Sequence, residues 1–233
     1  MDVSTHTSWL LVHKKLNAFG EIPVNRRLFL GAVGALALSP ALRAAQPQMM
    51  GPMTPMGVPM RVLVAHPTRV VQQCPFWCWA ASISMVFQSY GHPVDQADIV
   101  RQSFNSNVAV CASGNSTVIG SALSDSWTDQ NGDSFTSQVN AAYDFYNGLY
   151  AINNIILIDQ LSQDRPLLYC NTHHAMVVVT VDYFATPMGP NVRAIGVIDP
   201  FPGSPEFHWL TPAEMLPANQ GGEMTFLASV DVS

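Results

Sequence analysis

Positive charge is scarce in this sequence and lies mainly in its first part. Charged residues make up 11% of the 233 residues, and residues 46–233 contain no lysine, five arginines and fourteen acidic residues. Proteins that bind nucleic acid or anionic membranes need clustered lysine and arginine to meet the phosphate charge. We therefore expect neither nucleic acid nor an anionic membrane surface as a partner of residues 46–233.

Several patterns of catalytic and metal-binding proteins are also missing. The chain has no G-x-S-x-G segment, so it lacks the nucleophile elbow of many serine hydrolases. It has no C-x2-C pair, because its nearest cysteines, Cys74 and Cys78, are separated by three residues. His173 and His174 are adjacent, and neighbouring side chains on a strand diverge, so they make a poor pair of zinc ligands. We expect no metal and no cofactor.

The apolar content is sufficient for one substantial domain. Hydrophobic residues make up 48% of the chain, which at this length supports an ordinary core together with an appendage. We assign the domain to residues 61–233. Residues 46–60 are rich in proline and methionine, and this density of proline and glycine sustains neither helix nor sheet. They are predicted to form a linker.

The N-terminal part has the pattern of an export signal. Arg26 and Arg27 precede an apolar stretch at 28–38, and small residues follow at Ala44 and Ala45. This order is typical of a twin-arginine signal peptide, and the stretch is too short to span a bilayer. We predict that residues 1–45 are an N-terminal extension and signal, that the protein is exported, and that it does not stay inserted in a membrane.

Helical patterns dominate the first half of the predicted domain. Apolar residues recur at helical spacing after Cys78, and Asp95 is suited to the start of a second, short helix. Two further helices are predicted at 137–150 and 153–163. Polar and turn-forming residues predict loops at 106–115 and 125–133.

Strand patterns dominate the second half. After Pro166 the sequence contains five short runs rich in β-branched and aromatic residues, each bounded by Pro, Gly or Asn. The runs are PLLYC, AMVVVTVDYF, VRAIGVID, EFHWL and MTFLASVDV. A helical half followed by a strand half predicts an α+β fold.

The segment from Gln72 to Tyr90, QQCPFWCWAASISMVFQSY, has the strongest chemical pattern. Cys78 begins its helical run, where unpaired backbone N–H groups and the helix dipole favour the thiolate form of a cysteine. Thiolate is the nucleophilic form. Gln72, six residues earlier, carries an amide that could donate to an oxyanion forming beside the sulfur. The segment predicts a reactive cysteine.

These residues resemble a known family. Gln-x5-Cys-Trp-Ala-Ala is similar to the nucleophile segment of papain-like cysteine peptidases, especially short bacterial members with a Trp-Cys-Trp-Ala-Ala core, including those that act on bacteriocin leaders or as effectors. Such enzymes have a later histidine and then an Asn or Asp, and this chain has His174 before Ala175 and Asp199 before Pro200. The resemblance implies a two-lobed fold, with the nucleophile helix on a helical N-terminal lobe and the base on an antiparallel β lobe.

The resemblance also implies a role for each residue. Cys78 would be the nucleophile, His174 the base, and Asp199 the group that orients His174, while Gln72 would help to form the oxyanion hole. Two alternatives stay open. Gln73 is one residue from the family spacing, and His173 is the other histidine that could serve as the base.

The remaining cysteines are interpreted by the same resemblance. Papain-like enzymes tie the nucleophile loop to the chain that follows it by a disulfide, and Cys74 with Cys111 matches that placement. An exported protein permits such a bond. Cys170 lies in an apolar run and is expected to be a buried strand residue.

The function implied is that of an exported cysteine peptidase that hydrolyses a protein or peptide substrate without a cofactor. Two alternatives remain at this stage. The same scaffold could serve an amidase or another acyl transferase, such as one acting on cell-wall peptides. A papain-like site that has lost its activity could instead serve as a binding protein.

Overall fold

A long antiparallel sheet runs through the domain. The computed structural model describes residues 57–65 and 67–233, so the predicted export signal and most of the predicted linker lie outside the described residues. The strands over this part of the chain are β1 (Val58–Leu63), β2 (Ser126–Thr128), β3 (Ser134–Asp144), β4 (Leu149–Tyr150), β5 (Leu167–Cys170), β6 (Ala175–Thr186), β7 (Gly189–Ile198), β8 (Phe207–Trp209) and β9 (Phe226–Val232).

The sheet is organised around β6. Its strand order is β2-β3-β9-β5-β6-β7-β8, and every pair is antiparallel. On one edge β6 pairs first with β5, through Ala175–Val178, and then with β1, through Thr180–Ala185. On the other edge it pairs with β7. His174 directly precedes β6 and Asp199 directly follows β7, and these two strand ends meet at one end of the sheet.

Five helices accompany this sheet in the described residues. They are α1 (Cys78–Ser89), α2 (Gln96–Ser103), α3 (Ser116–Ala122), α4 (Asn154–Ser162) and α5 (Pro212–Met215). The mixture of helix and antiparallel sheet confirms the predicted α+β class. None of the helices in the described residues is both long enough and apolar enough to cross a membrane.

Helix α1 is the central helix of the core. Every residue from Trp79 to Phe87 is buried, and the helix packs against β5 and β6. A helix that is apolar on most of its circumference has to be enclosed by other elements. Its first residue, Cys78, is half-buried and therefore stands at the boundary between this core and solvent. The predicted helix from Cys78 is confirmed.

Two other predicted helices are confirmed with their caps. The Asp95 side chain accepts from the backbone N–H of Ala97 at 2.7 Å, and α2 follows it. The Asn153 side chain accepts from the N–H groups of Ile155 and Ile156 at the start of α4. Each cap satisfies N–H groups that the first helical turn leaves unpaired.

The predicted helix at 137–150 is wrong. Residues 137–144 belong to β3, which pairs with β9, and a turn at 145–148 connects β3 to β4. A β-bulge between Val139 and Ala141 interrupts the alternation of buried and exposed residues, which hides the strand pattern. The Asn147-Gly148 dipeptide, with Gly148 at φ 66°, is a hairpin signal that identifies this turn.

Two predicted boundaries also need correction. The linker was predicted to reach residue 60, but β1 begins at Val58. Pro59 is tolerated there because a strand paired on one edge does not need every N–H group. The predicted loop at 125–133 contains the short strand β2, which pairs with the start of β3.

Candidate active site

The structure brings the four predicted site residues together. Gln72, Cys78 and His174 line one cleft of about 760 Å³. Asp199 directly follows β7 and is buried, with 3% of its surface exposed. These residues come from three separate parts of the chain, so the fold rather than local sequence assembles them.

The ring of His174 is paired with the carboxylate of Asp199. The Nε2 atom of His174 lies 2.6 Å from Oδ1 of Asp199, and the same oxygen accepts from the backbone N–H of Phe201 at 2.7 Å. Burial tends to raise the pKa of Asp199, but the hydrogen bonds from His174 and Phe201 outweigh it, so the pKa of Asp199 is lowered. The carboxylate is therefore ionised beside the ring.

Cys78 lies near enough to the same ring to affect its pKa. Burial lowers the pKa of His174, but hydrogen bonds to Asp199 and Cys78, together with their negative charge, raise it overall to about 9. Because Nε2 is engaged by Asp199, the Nδ1 atom is the ring nitrogen left for the Cys78 sulfur. At neutral pH the raised pKa favours a protonated His174 imidazole.

His174 is distinguished from His173 by its position. Both histidines were expected on a strand, where they would point to opposite faces, but they lie in the four-residue turn that connects β5 to β6. Within this turn His174 contacts Asp199, whereas His173 is exposed and has no contact with that carboxylate in the described structure. The structure thus pairs His174 with Asp199, although by turn geometry rather than by strand alternation.

The side chain of Gln72 lies at the cleft but is already hydrogen-bonded. Its Nε2 atom donates to the carbonyl oxygens of Cys74 and Pro75, at 3.0 Å each. Its Oε1 atom is buried and finds no partner among the described residues. To donate to an oxyanion, the amide would have to release one of these two carbonyls. Gln73 is exposed and does not line the cleft.

The segment that carries Cys78 is attached to residues 110–112 at three points. A disulfide joins Cys74 to Cys111, which confirms the predicted bridge. The indole N–H of Trp77 donates to the carbonyl of Val110 at 2.9 Å, and that of Trp79 donates to the carbonyl of Ala112 at 3.2 Å.

The two tryptophans that flank Cys78 therefore have a structural role that the sequence did not reveal. Their partners lie 33 residues away in each case, on either side of Cys111. Gly114, close to these partners, packs directly on Trp79, because a Cβ atom there would lie 2.7 Å from the indole ring. A bulkier residue at 114 would displace the ring beside Cys78.

Asn171 holds the turn that carries His174. Its Oδ1 atom accepts from the backbone N–H groups of His173 at 2.9 Å and His174 at 2.7 Å. Its backbone N–H donates to the carbonyl of His174 at 3.0 Å. Asparagine at the start of a turn makes such contacts often, so the Asn-Thr-His-His order could have indicated this role.

Cys170 is the second free cysteine of the described chain and lies at the wall of the cleft. It ends β5 and is buried, as expected for a strand residue. Burial raises the pKa of the Cys170 thiol, and negative charge on Cys78 and Asp144 raises it further. Cys170 therefore remains a neutral thiol at neutral pH.

The wall of the cleft is polar but carries little charge. Its described lining includes neither acidic residues nor lysine or arginine, and His173 and His174 are its titratable bases. Amide side chains from Asn115, Asn147 and Asn171 line the cleft. Aromatic rings at its edge are partly or largely exposed: Phe76 by 57%, Tyr146 by 65% and Phe201 by 46%. Such a surface suits an uncharged chain with apolar side groups.

Comparisons with known proteins do not add to this geometry. No protein-family model matches the chain, and no curated protein matches it. Over the described residues there is also no group of three or more His, Cys, Asp or Glu side chains that could hold a metal ion. The contacts of Cys78, His174 and Asp199 are therefore the features of the chain that bear on its function.

Proposed function

We propose that the protein is a papain-like cysteine peptidase. The observation that carries this proposal is the arrangement of Cys78, His174 and Asp199, in which one ring nitrogen meets a buried carboxylate and the other is left for the sulfur at an open cleft. A nucleophile, a base and a group that orients the base are the three parts that acyl transfer by a thiol requires.

The proposed reaction uses these groups in two steps. The Cys78 thiolate attacks the carbonyl carbon of a peptide bond and forms a carbon–sulfur bond. The His174 imidazolium donates its proton to the leaving nitrogen as the carbon–nitrogen bond breaks, which leaves an acyl-enzyme. Neutral His174 then takes a proton from water as the oxygen of that water attacks the acyl carbon. The carbon–sulfur bond breaks, which releases the carboxylic acid and restores the Cys78 thiolate and the His174 imidazolium.

The negative oxygen that develops in both steps needs hydrogen-bond donors. The amide of Gln72 and the backbone N–H of Cys78 are the proposed donors. Gln72 can serve by exchanging the carbonyl of Cys74 or Pro75, each 3.0 Å away, for the substrate oxygen. Substrate binding would therefore include a small rearrangement of the loop before α1.

A peptide is the proposed substrate because of the cleft as well as the catalytic residues. The volume of the cleft, about 760 Å³, falls within the range of roughly 300–1,000 Å³ that is usual for ligand sites. The amide side chains along its wall can both donate to and accept from a peptide backbone. We further propose that α1 and the sheet form the two lobes of a papain-like fold, with this cleft between them.

The proposal is tested by hydrolysis of a denatured, dye-labelled protein by the wild-type enzyme and by Cys78→Ala. We expect release of labelled peptides by the wild type and none by the variant. In water enriched in ¹⁸O, each new carboxyl group should acquire the label, because water takes the acyl group from Cys78. Transfer of the acyl group to an added amine without ¹⁸O incorporation would indicate an acyl transferase instead. Binding of peptides by the wild type without cleavage would indicate a binding protein.

We also propose that the protein is exported. The disulfide between Cys74 and Cys111 supports this proposal, because structural disulfides persist mainly in oxidising compartments. The predicted signal at residues 1–45 should then be removed, so that the mature chain begins near Ala45 or Gln46. N-terminal sequencing of the mature protein, compared with a variant in which Arg26 and Arg27 are both replaced by lysine, checks this. An unprocessed wild-type protein in the cytoplasm would contradict the proposal.

A further inference from the structure

Arg69 connects the chain before the nucleophile to the loop that carries Asp199. Its Nε atom donates to the backbone carbonyl of Asp199 at 2.7 Å. Its Nη2 atom donates to the carbonyls of Phe201 at 2.5 Å and Ser204 at 3.2 Å. One half-buried guanidinium thus engages three carbonyls of the loop at 199–204.

These contacts add to the backbone bonds of the loop itself, which run from the Asp199 N–H to Glu206 at 2.9 Å and from the Ser204 N–H to Phe201 at 3.1 Å. The loop follows the last residue of β7, and Pro200 has no N–H group with which to continue a ladder. The carbonyl of Pro200 accepts from the backbone N–H of Gln72 at 2.9 Å. The carbonyls of residues 199, 200 and 201 therefore all face residues 69–72, which lead directly to Cys78.

The contacts of Arg69 lie on both sides of the peptide group that holds the Asp199 carboxylate. That peptide group joins Pro200 to Phe201, and its N–H donates to Oδ1 of Asp199 at 2.7 Å. Arg69 holds the preceding carbonyl, of Asp199, and the following one, of Phe201. We propose that Arg69 is a positioning residue that sets the orientation of the Asp199 carboxylate, and through it that of His174, relative to Cys78.

This inference rests on the proposed function, but it concerns a residue outside the catalytic groups. Arginine suits the task because its planar guanidinium presents several N–H donors in fixed directions. A lysine at this position would offer a single ammonium group, which cannot reach carbonyls at both ends of the loop with the same geometry. We therefore expect Arg69→Lys to lose part of the positioning effect of Arg69, so that Cys78 reacts more slowly than in the wild type.

The test compares Arg69→Ala and Arg69→Lys with the wild type and with a matched control, Arg101→Ala. Arg101 forms an exposed ion pair with Asp98 at 3.0 Å and lies outside the cleft lining. The first measurement is the rate at which iodoacetamide alkylates Cys78 at neutral pH, which requires no substrate. We expect a decrease of roughly 10- to 100-fold in Arg69→Ala, because displacing an orienting group by about 1 Å can cost this much. Arg101→Ala should keep the wild-type rate.

The second measurement is the titration of His174 by NMR. In the wild type the pKa of His174 is raised to about 9. In Arg69→Ala it should fall towards the ordinary value of about 6.5, since the carboxylate no longer holds the ring as closely. Free guanidinium ion added at low concentration should partly restore the alkylation rate of Arg69→Ala, and it should have no effect on Arg101→Ala. A residue that only stabilised the fold would change neither the titration nor the response to guanidinium.

The outcomes separate this inference from the proposed function. Wild-type alkylation and titration in a folded Arg69→Ala or Arg69→Lys would overturn the role of Arg69, whether or not the protein hydrolyses peptides. If circular dichroism shows that Arg69→Ala does not fold, the alkylation rate and the His174 titration of Arg69→Lys decide the role of Arg69. Slower alkylation in the Arg69 variants, in a protein that cleaves no peptide, would support the role of Arg69 and contradict the peptidase.

Discussion

The two halves of the candidate site are held by different kinds of contact. The nucleophile segment, residues 74–79, is attached to residues 110–112 by a disulfide and by the indole N–H groups of Trp77 and Trp79. The base segment, residues 171–174 and 199–204, contains no disulfide. It is held by hydrogen bonds that Arg69 donates and that Asn171 accepts, and by the ion pair of His174 with Asp199.

Because of this difference, the two halves should respond to different solution conditions. A disulfide is sensitive to reductant and contains no titratable group. The attachment of the nucleophile segment to residues 110–112 should therefore respond to redox conditions more than to pH. The base segment contains a paired imidazole and carboxylate, so it should respond to pH more than to reductant.

The largest effect should come from the base segment. His174→Ala removes the group that transfers the proton, and it should lower kcat/KM for peptide hydrolysis by roughly 10²- to 10⁴-fold. His173→Ala is the matched control, because His173 is exposed in the same turn and should keep most of the activity. Steady-state kinetics of the two variants measure this. A larger loss in His173→Ala would transfer the role of base to that residue.

The next effect should come from the nucleophile segment. Replacing both Cys74 and Cys111 by alanine should lower the free energy of unfolding by about 3–4 kcal/mol, because the disulfide closes a loop with a sequence separation of 37 residues. Chemical denaturation of this variant and of the wild type, each with and without reductant, measures the loss. Reductant should destabilise the wild type and leave the variant unchanged. An equal response of both proteins to reductant would contradict the bridge as a stabilising element.

A smaller effect should appear as a shift in pH dependence. The protonated form of His174 is present below its pKa of about 9 and is lost above it, so kcat/KM of the wild type should fall as the pH rises through about 9. Asp199→Asn removes the negative charge beside the ring, which should lower the pKa of His174 and move this decline to lower pH. A pH profile of each protein checks the shift. An unchanged alkaline limb in Asp199→Asn would mean that the carboxylate does not stabilise the imidazolium.

The smallest effect should concern the substrate. Because the described cleft lining contains neither acidic residues nor lysine or arginine, a charged substrate side chain would lose water without gaining a counter-ion. Peptides with apolar or amide side chains near the cleaved bond should be preferred over matched peptides with lysine or glutamate there. Competition between such pairs, measured by mass spectrometry, gives the ratio of kcat/KM. A strong preference for charged peptides would contradict this description of the cleft.

The elements that the sequence predicted best are those with a local pattern. Helix α1 is apolar almost throughout, and the five strands after Pro166 are short β-branched runs between turn residues. Strand β3 was predicted as a helix because the bulge between Val139 and Ala141 disrupts its alternation, and its partner, β9, lies at the far end of the described chain. Long-range pairing of this kind can override local preference.

The candidate site shows the same division. Cys78, His174 and Asp199 were predicted from short motifs, and the structure places them together. Apart from the disulfide and the local contacts of Asn171, the contacts that hold them were not predicted. They join distant residues: Arg69 and Asp199 are 130 positions apart, and Trp77 and Val110 are 33 apart. Both contacts have a backbone carbonyl as the acceptor. Every residue type carries such a carbonyl, so the sequence gives no sign of which residue is the partner.

If His174 activates Cys78, the reactivity of the Cys78 sulfur should depend on His174 even without a substrate. The wild type and His174→Ala are treated with iodoacetamide at pH 6, and the labelling of Cys78 and of the buried Cys170 is followed by peptide mapping. We expect Cys78 to be labelled well before Cys170 in the wild type, and much more slowly in His174→Ala. Equal labelling of the two cysteines would contradict the assignment of Cys78 as the reactive thiol. The same rate for Cys78 in both proteins would contradict its activation by His174.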